Sequence, residues 1–259
     1  MNSEVYLDLL RAVILTFVLI KTIQLITQKK NNPGEIFFAL AVACLILTDM
    51  YWLVYELLRP DDRLPFAANE FGEWALFLLL GESLSYKHPI RFSEAKLELI
   101  GIVLFVAGNV ALWIGWSGEW MQDILTGLVF AYFLCSLAFR IIEEEAFSGF
   151  IWKLLGIISL VLIAAQTATF LVPDRLFRPL DLFCYILMFA TAAFLLVRAV
   201  ISILQKTLGT HSVCHSFIAF AWIIVTMYMS ADAFHAVAYA LSALCFPLMY
   251  LALKKEASV

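Results

Sequence analysis

The stretch FFALAVACLILTDMYWLVYELL (Phe37–Leu58) carries a single charge, Asp49, before it reaches Glu56. An α-helix rises about 1.5 Å per residue, so a segment of this length spans roughly 30 Å. That matches the thickness of a bilayer's hydrocarbon core. Lipid offers no hydrogen-bond partner to the backbone, so such a segment must satisfy its own N–H and C=O groups, and a helix does so. The unexpected feature is the acid in the middle.

The same pattern repeats along the chain. Of its 259 residues, 63% are hydrophobic and only 15% are charged, with a mean hydropathy of +0.92. Soluble domains carry about 25% charged residues. The sequence predicts an all-α, polytopic transmembrane bundle of about nine spans, near 8–28, 36–58, 66–86, 97–116, 120–140, 150–172, 181–204, 213–230 and 233–253. The breakers KKNNPGE, RPDDRLP, WSGEW, VPDRLFRP and LGTHS separate them. Between the last two spans, Ser230 or Asp232 is the expected helix N-cap. Residues 1–259 read as one transmembrane domain with no soluble domain. PDDRLPF (Pro60–Phe66) and PDRLF (Pro173–Phe177) echo each other four spans apart. They suggest either a duplication of a four-helix unit (spans 1–4 and 5–8, plus a terminal span) or independent use of a Pro-Asp turn.

Basic residues orient the spans, because cytoplasmic connectors are enriched in Lys and Arg. The connectors after the odd-numbered spans and the tail hold eleven, from Lys29 and Lys30 to Lys254 and Lys255, and the opposite connectors hold Arg59, Arg63, Arg175 and Arg178. The expected topology is amino terminus outside and carboxyl terminus cytoplasmic, in a bacterial cytoplasmic membrane. The acidic start MNSEVYLDLLR lacks a basic n-region and a cleavage site, so the first span reads as a retained helix. Cys44, Cys135, Cys184, Cys214 and Cys245 form no CxxC pair and read as small apolar residues.

The acids gather on one side. By helical rise, Asp49 lies about 14 Å and Glu73 about 10 Å below the outer surface. Arg11, Asn109 and Gln166 fall in the same outer half, with Glu56 and Glu70 nearer the mouth. Polar groups at such depths usually face a bundle interior or a water-filled cavity. Asp49, Trp52 and Glu56 share one face of span two, and Glu70, Glu73 and Trp74 share one face of span three. Acids interleaved with aromatic rings suit a small cationic or amine solute. Asp49 and Glu73 could meet and share a proton or cation, or Asp49 could pair with Arg11. Asp61 and Asp62 read as surface charges, and Trp74, Trp113, Trp116 and Trp120 as an interfacial belt. Lys21 and Glu82 are positioned to pair near the other surface, where RIIEEEAF reads as a solvated helix end.

HSVCH (His211–His215) puts two imidazoles on one helical face. This spacing is similar to the paired histidines of membrane-embedded hydrolases related to ceramidases and progestin-type receptors. Those families add a third His and a Ser/Asp set on other helices. Here His88 lies on the same side and the wider pattern is missing, so no metal is expected at His88, His211 and His215, and the paired His211 and His215 read as interfacial histidines. No HExxH, GxSxG, GxGxxG or P-loop motif occurs. No cofactor, no nucleic-acid partner and no catalysis are expected.

FFALAVACLILTDMYWLVYELL followed by AANEFGEWALFLLL resembles the multi-helix membrane input regions of bacterial sensor kinases and diguanylate cyclases. The resemblance covers about 45 residues, and no residue roles carry over. It implies sensing; those families continue into a cytoplasmic output domain, and none is expected within these 259 residues. The expectation is therefore a receptor-like or accessory protein that binds a small solute in an outward polar pocket and signals through a cytoplasmic or membrane partner. The alternative is a small proton- or cation-coupled transporter using Asp49 and Glu73.

Overall fold

The computed structural model describes residues 3–28, 33–58, 68–91, 93–205 and 211–258, with the side chains of 3–5, 55–58, 68–69 and 174 left aside. Among them are nine helices and no strand: α1 (Ser3–Gln28), α2 (Pro33–Leu58), α3 (Ala68–Ser85), α4 (Lys96–Ser117), α5 (Trp120–Glu143), α6 (Gly149–Thr169), α7 (Asp174–Leu204), α8 (Ser212–Tyr228) and α9 (Asp232–Glu256). Seven of these, all but α3 and α8, are long and apolar enough to cross a membrane and mark the chain as a multi-pass integral membrane protein. Helix α3 holds Glu70, Glu73 and Glu82 within its 18 residues, and α8 has only 17.

Local chemistry accounts for most ends. Pro33 opens α2 at the first helical position, where its missing N–H costs nothing. Gly118 closes α4 in the left-handed region at φ 74°, and its N–H donates to the Ile114 carbonyl. Two ends depart from the sequence reading. Helix α7 begins at Asp174, inside the segment read as a connector, and carries Pro179 in its second turn. Proline there removes one backbone hydrogen bond near the helix start and does not stop the helix. Ala231, not Ser230 or Asp232, holds the N-cap position of α9, and no side chain caps it.

The helices form a ring in the order α1, α2, α3, α5, α4, α6, α7, α9, which closes on α1, and α8 packs inside against α5, α7 and α9. Every α8 residue from Ser212 to Thr226 is buried except Ile218. A helix that is apolar all round belongs in an interior, and the shortest element is the axis of the bundle. Phe217 and Phe220 of α8 contact Phe38 of α2, Phe133 of α5 and Phe246 of α9 at centroid separations of 5.2–6.5 Å. Trp222 donates its indole N–H to the Met188 carbonyl of α7 at 3.1 Å. Helices α2 and α3 approach closely at Gly72, where a Cβ would stand 1.9 Å from Thr48 Oγ1. The outer surface is inverted relative to a soluble protein: Leu47, Leu104, Leu128, Leu160 and Ile186 are at least 60% exposed. A continuous apolar exterior of this kind is what lipid requires.

Side-chain contacts define two ends. Near one, Ser83 of α3 donates to the Gly34 carbonyl of α2 at 2.7 Å, and the α3–α4 connector meets the carboxyl ends of α5 and α9. At this α3–α4 end Arg140 is 2% exposed. Its Nε donates to Glu144 at 2.8 Å and its Nη2 lies 2.9 Å from Glu256, which also takes Lys87 at 2.9 Å. The reading of RIIEEEAF as a solvated helix end holds for Glu143 and Glu145, which are exposed where α5 stops, and is corrected at Arg140, which turns inward toward two carboxylates. Lys21 donates to Gln24 and Glu82 accepts from Tyr132, so the expected Lys21–Glu82 pair does not form.

Candidate functional site

The opposite, α2–α3 end gathers the polar groups. Asp49 on α2 and Arg11 on α1 are 1% and 8% exposed. They form a two-pronged ion pair, with Arg11 Nε donating to Oδ2 at 2.8 Å and Nη2 donating to Oδ1. A planar guanidinium matches a carboxylate in this way, and buried carboxylates persist where such pairing offsets desolvation. Tyr239 of α9 stacks on Arg11, its ring centroid 3.9 Å from Cζ, and its hydroxyl donates to Asp8. Three helices are thereby fastened through one arginine.

A second chain of contacts runs beside the first. Tyr228, the last residue of α8, donates to Glu73 Oε2 of α3 at 2.8 Å. Its ring lies 5.1 Å from that of Trp113 on α4. Trp74 donates to Thr126 of α5 at 2.9 Å. Asn109 donates its Nδ2 to the Phe105 carbonyl at 2.8 Å, which leaves its Oδ1 inward and unmatched.

Asn109 is not alone in this. Glu70 Oε2, Trp113 Nε1 and Gln166 Nε2 are also buried without a hydrogen-bond partner. The four residues are 9% exposed or less. Leaving one such group unpaired costs about 1–3 kcal/mol. Asn109 and Trp113 lie on the buried face of α4 with Leu99 and Val106, and Gln166 lies on the buried face of α6 with Leu155 and Leu162. The two faces therefore point inward. Two acceptors and two donors in this half of the bundle are thus left without a partner among the described residues.

Of the residues singled out from sequence, Arg11 and Asp49 join directly, and Glu73 lies in the electrostatic field of both. Asp49 and Glu73 do not bond to each other, because each has another partner. Glu70, Asn109 and Gln166 are buried in the same half, Trp74 turns toward α5, and Trp52 is half-buried on α2. The side chain of Glu56, together with Asp61, Asp62 and the PDDRLPF connector, lies outside the described residues. The aromatic belt holds in part: Trp116 and Trp120 are 60% and 61% exposed, whereas Trp113 is buried.

His88, His211 and His215 belong to the other end, and His235 lies beside the end of α8, its Nδ1 2.9 Å from the Met227 carbonyl. His88 contacts Glu143 at 2.5 Å and Glu144 at 3.4 Å. His215 is buried, not interfacial, with Nε2 3.2 Å from the Ala146 carbonyl and 3.4 Å from Arg198 Nη2. No group of three His, Cys, Asp or Glu side chains able to hold a metal occurs among the described residues.

Sequence reasoning missed Asp8, Tyr228 and Tyr239. Tyr239 sits 228 positions after Arg11, and only the contact of α1 with α9 brings the two together. A signal existed for Asp8, one helical turn before Arg11 on the same face. A cleft of about 720 Å³ lies nearer the α3–α4 end, between α4, α5, α6 and α8, away from these groups. No protein-family model, curated protein or solved structure matches this chain.

Proposed function

We propose that the polar layer at the α2–α3 end binds a small solute carrying both a donor, such as an amine, and an acceptor. In this reading all nine helices cross a bacterial cytoplasmic membrane, with the amino terminus outside and the carboxyl terminus in the cytoplasm. The positive-inside bias supports that orientation. The layer then faces outward, and the protein acts as a receptor-like or accessory component that reports occupancy to a membrane or cytoplasmic partner. The observation that carries the reading is the set of four buried, unmatched polar atoms on Glu70, Asn109, Trp113 and Gln166. Buried polar groups in native proteins are almost always satisfied, and a solute able to satisfy all four gains what the apoprotein forgoes.

The alternative is a proton- or cation-coupled transporter. It draws on Glu73, which is half-buried beside Tyr228 and in the field of the Arg11–Asp49 pair. Asp49 is a weaker coupling residue, since releasing it exposes an unpaired arginine. One pair of measurements separates the readings. Purified protein is screened against small amines, amino acids and amino alcohols for a rise in melting temperature. Proton and cation flux is then followed in proteoliposomes for the wild type and Glu73→Gln. Binding that raises the melting temperature without flux supports the receptor-like reading. Flux abolished by Glu73→Gln supports the transporter, and absence of both overturns the layer as a solute site.

A further inference from the structure

Helices α4 and α6 lie side by side and diverge toward the α3–α4 end. Nearer the α2–α3 end they touch: a Cβ on Gly108 would lie 3.1 Å from Ile163 Cδ1, and one on Gly115 3.5 Å from Phe170. At the other end, Gly101 and Gly156 have nothing within 4 Å of where a Cβ would stand. The wedge between them is the cleft of about 720 Å³, floored by Leu137 of α5 and by Ala221 and Trp222 of α8. Its rim residues Leu104 and Leu160 are 66% and 70% exposed, so the cleft opens sideways onto the lipid-facing surface.

Length and charge identify what fits. From Glu98 to Gly108 on α4, and from Lys153 to Ile163 on α6, the lining runs about 15 Å. That is one leaflet of a hydrocarbon core about 30 Å thick. Glu98 and Lys153 are the charged groups in the lining, both at the α3–α4 end of the cleft. Lys153 is exposed, Glu98 is half-buried, and neither makes an ion pair among the described residues.

We propose that the cleft holds one acyl chain of a zwitterionic phospholipid from that leaflet, with the headgroup phosphate at Lys153 and the headgroup amine at Glu98. A purely anionic headgroup meets repulsion from Glu98. The site rests on membrane integration alone and shares no residue with the polar layer, so the two proposals fail separately.

The test reconstitutes the full chain in liposomes of equal phosphatidylethanolamine and phosphatidylglycerol, extracts it, and counts retained lipid by native mass spectrometry. The wild type is expected to keep one phosphatidylethanolamine. Gly101→Leu combined with Gly156→Leu fills the cleft without a clash at Cβ and favours the helix; it is expected to retain less than a tenth as much. Lys153→Ala alters an exposed side chain, leaves the fold intact, and is expected to lower retention several-fold. Glu98→Gln is expected to erase the preference over phosphatidylglycerol. Equal retention by the filled variant overturns the site. So does wild-type protein that keeps phosphatidylglycerol equally well, or that binds a second copy in place of lipid.

Discussion

Arg140 and Arg11 are both buried guanidiniums in an apolar bundle, yet their surroundings differ. Around Arg140, carboxylates and cations come from the ends of α5 and α9 and from the α3–α4 connector: Glu144, Glu256, Lys87 and His88 close on one another, while Arg198 Nε, His211 Nδ1 and His215 Nδ1 at the same end stay unmatched. Around Arg11, the pair with Asp49 is complete, but the layer beyond it holds Glu70, Asn109, Trp113 and Gln166 with atoms to spare. The first arrangement clasps helix ends together. The second sets a paired anchor beside four unmatched polar atoms, the groups on which the proposed solute site draws.

The largest expected effect is at the clasp. Arg140→Met removes the buried cation between Glu144 and Glu256, which keep only His88 and Lys87; with part of the charge still compensated, the loss is at the low end for a broken buried pair, about 3 kcal/mol. Unfolding in mixed micelles should show that loss; a change below about 1 kcal/mol would place the cluster among solvated surface charges and remove the contrast.

Asp49→Asn comes next. It keeps an acceptor for Arg11 but removes the charge, and a hydrogen bond to a charged group is worth about 1.5–3 kcal/mol. The double change Arg11→Met with Asp49→Leu is expected to recover most of that loss, because a well-packed apolar pair does as well as a buried ion pair. A double variant less stable than both singles would show that Tyr239 and Asp8 depend on the guanidinium, and would make Arg11 the centre of a wider network.

Trp113→Phe has the smallest effect on stability, about 1 kcal/mol, because part of a buried indole is removed and a ring remains. It preserves a ring against Tyr228 and deletes an N–H that has no partner. The same change is expected to weaken any solute found by the screen about tenfold, equivalent to about 1.4 kcal/mol. Stability and affinity would then move independently at this end. Equal affinity in the variant would take Trp113 out of the site.

Helix positions were legible from local pattern. The helix from Pro33 and the end at Gly118 followed from breakers and the length of apolar runs, and most ends agree within a few residues. Helix α7 started earlier than read because Asp174, Arg175 and Arg178 lower the apolar average, although nothing in Pro173-Asp174 prevents a helical turn. The place of Asp49 inside an apolar helix was legible too, since it depends on position in the run alone. Its partner was not: pairing with Arg11 stood beside a meeting with Glu73 as an open alternative.

The sequence sufficed for class, helix count and the presence of a polar layer, because these depend on segment length, composition and local chain stops. Tertiary packing settled that the short α8 is the axis, that Tyr228 and Tyr239 enter the layer, that Arg140 is buried, and that α4 and α6 part to leave a cleft. The physical reason lies in the solvent. Lipid tails are as apolar as a protein core, so hydrophobicity hardly distinguishes the inward face of a membrane helix from its outward one. Which faces meet is decided by small-residue contacts, buried hydrogen bonds and ion pairs between residues far apart in the chain.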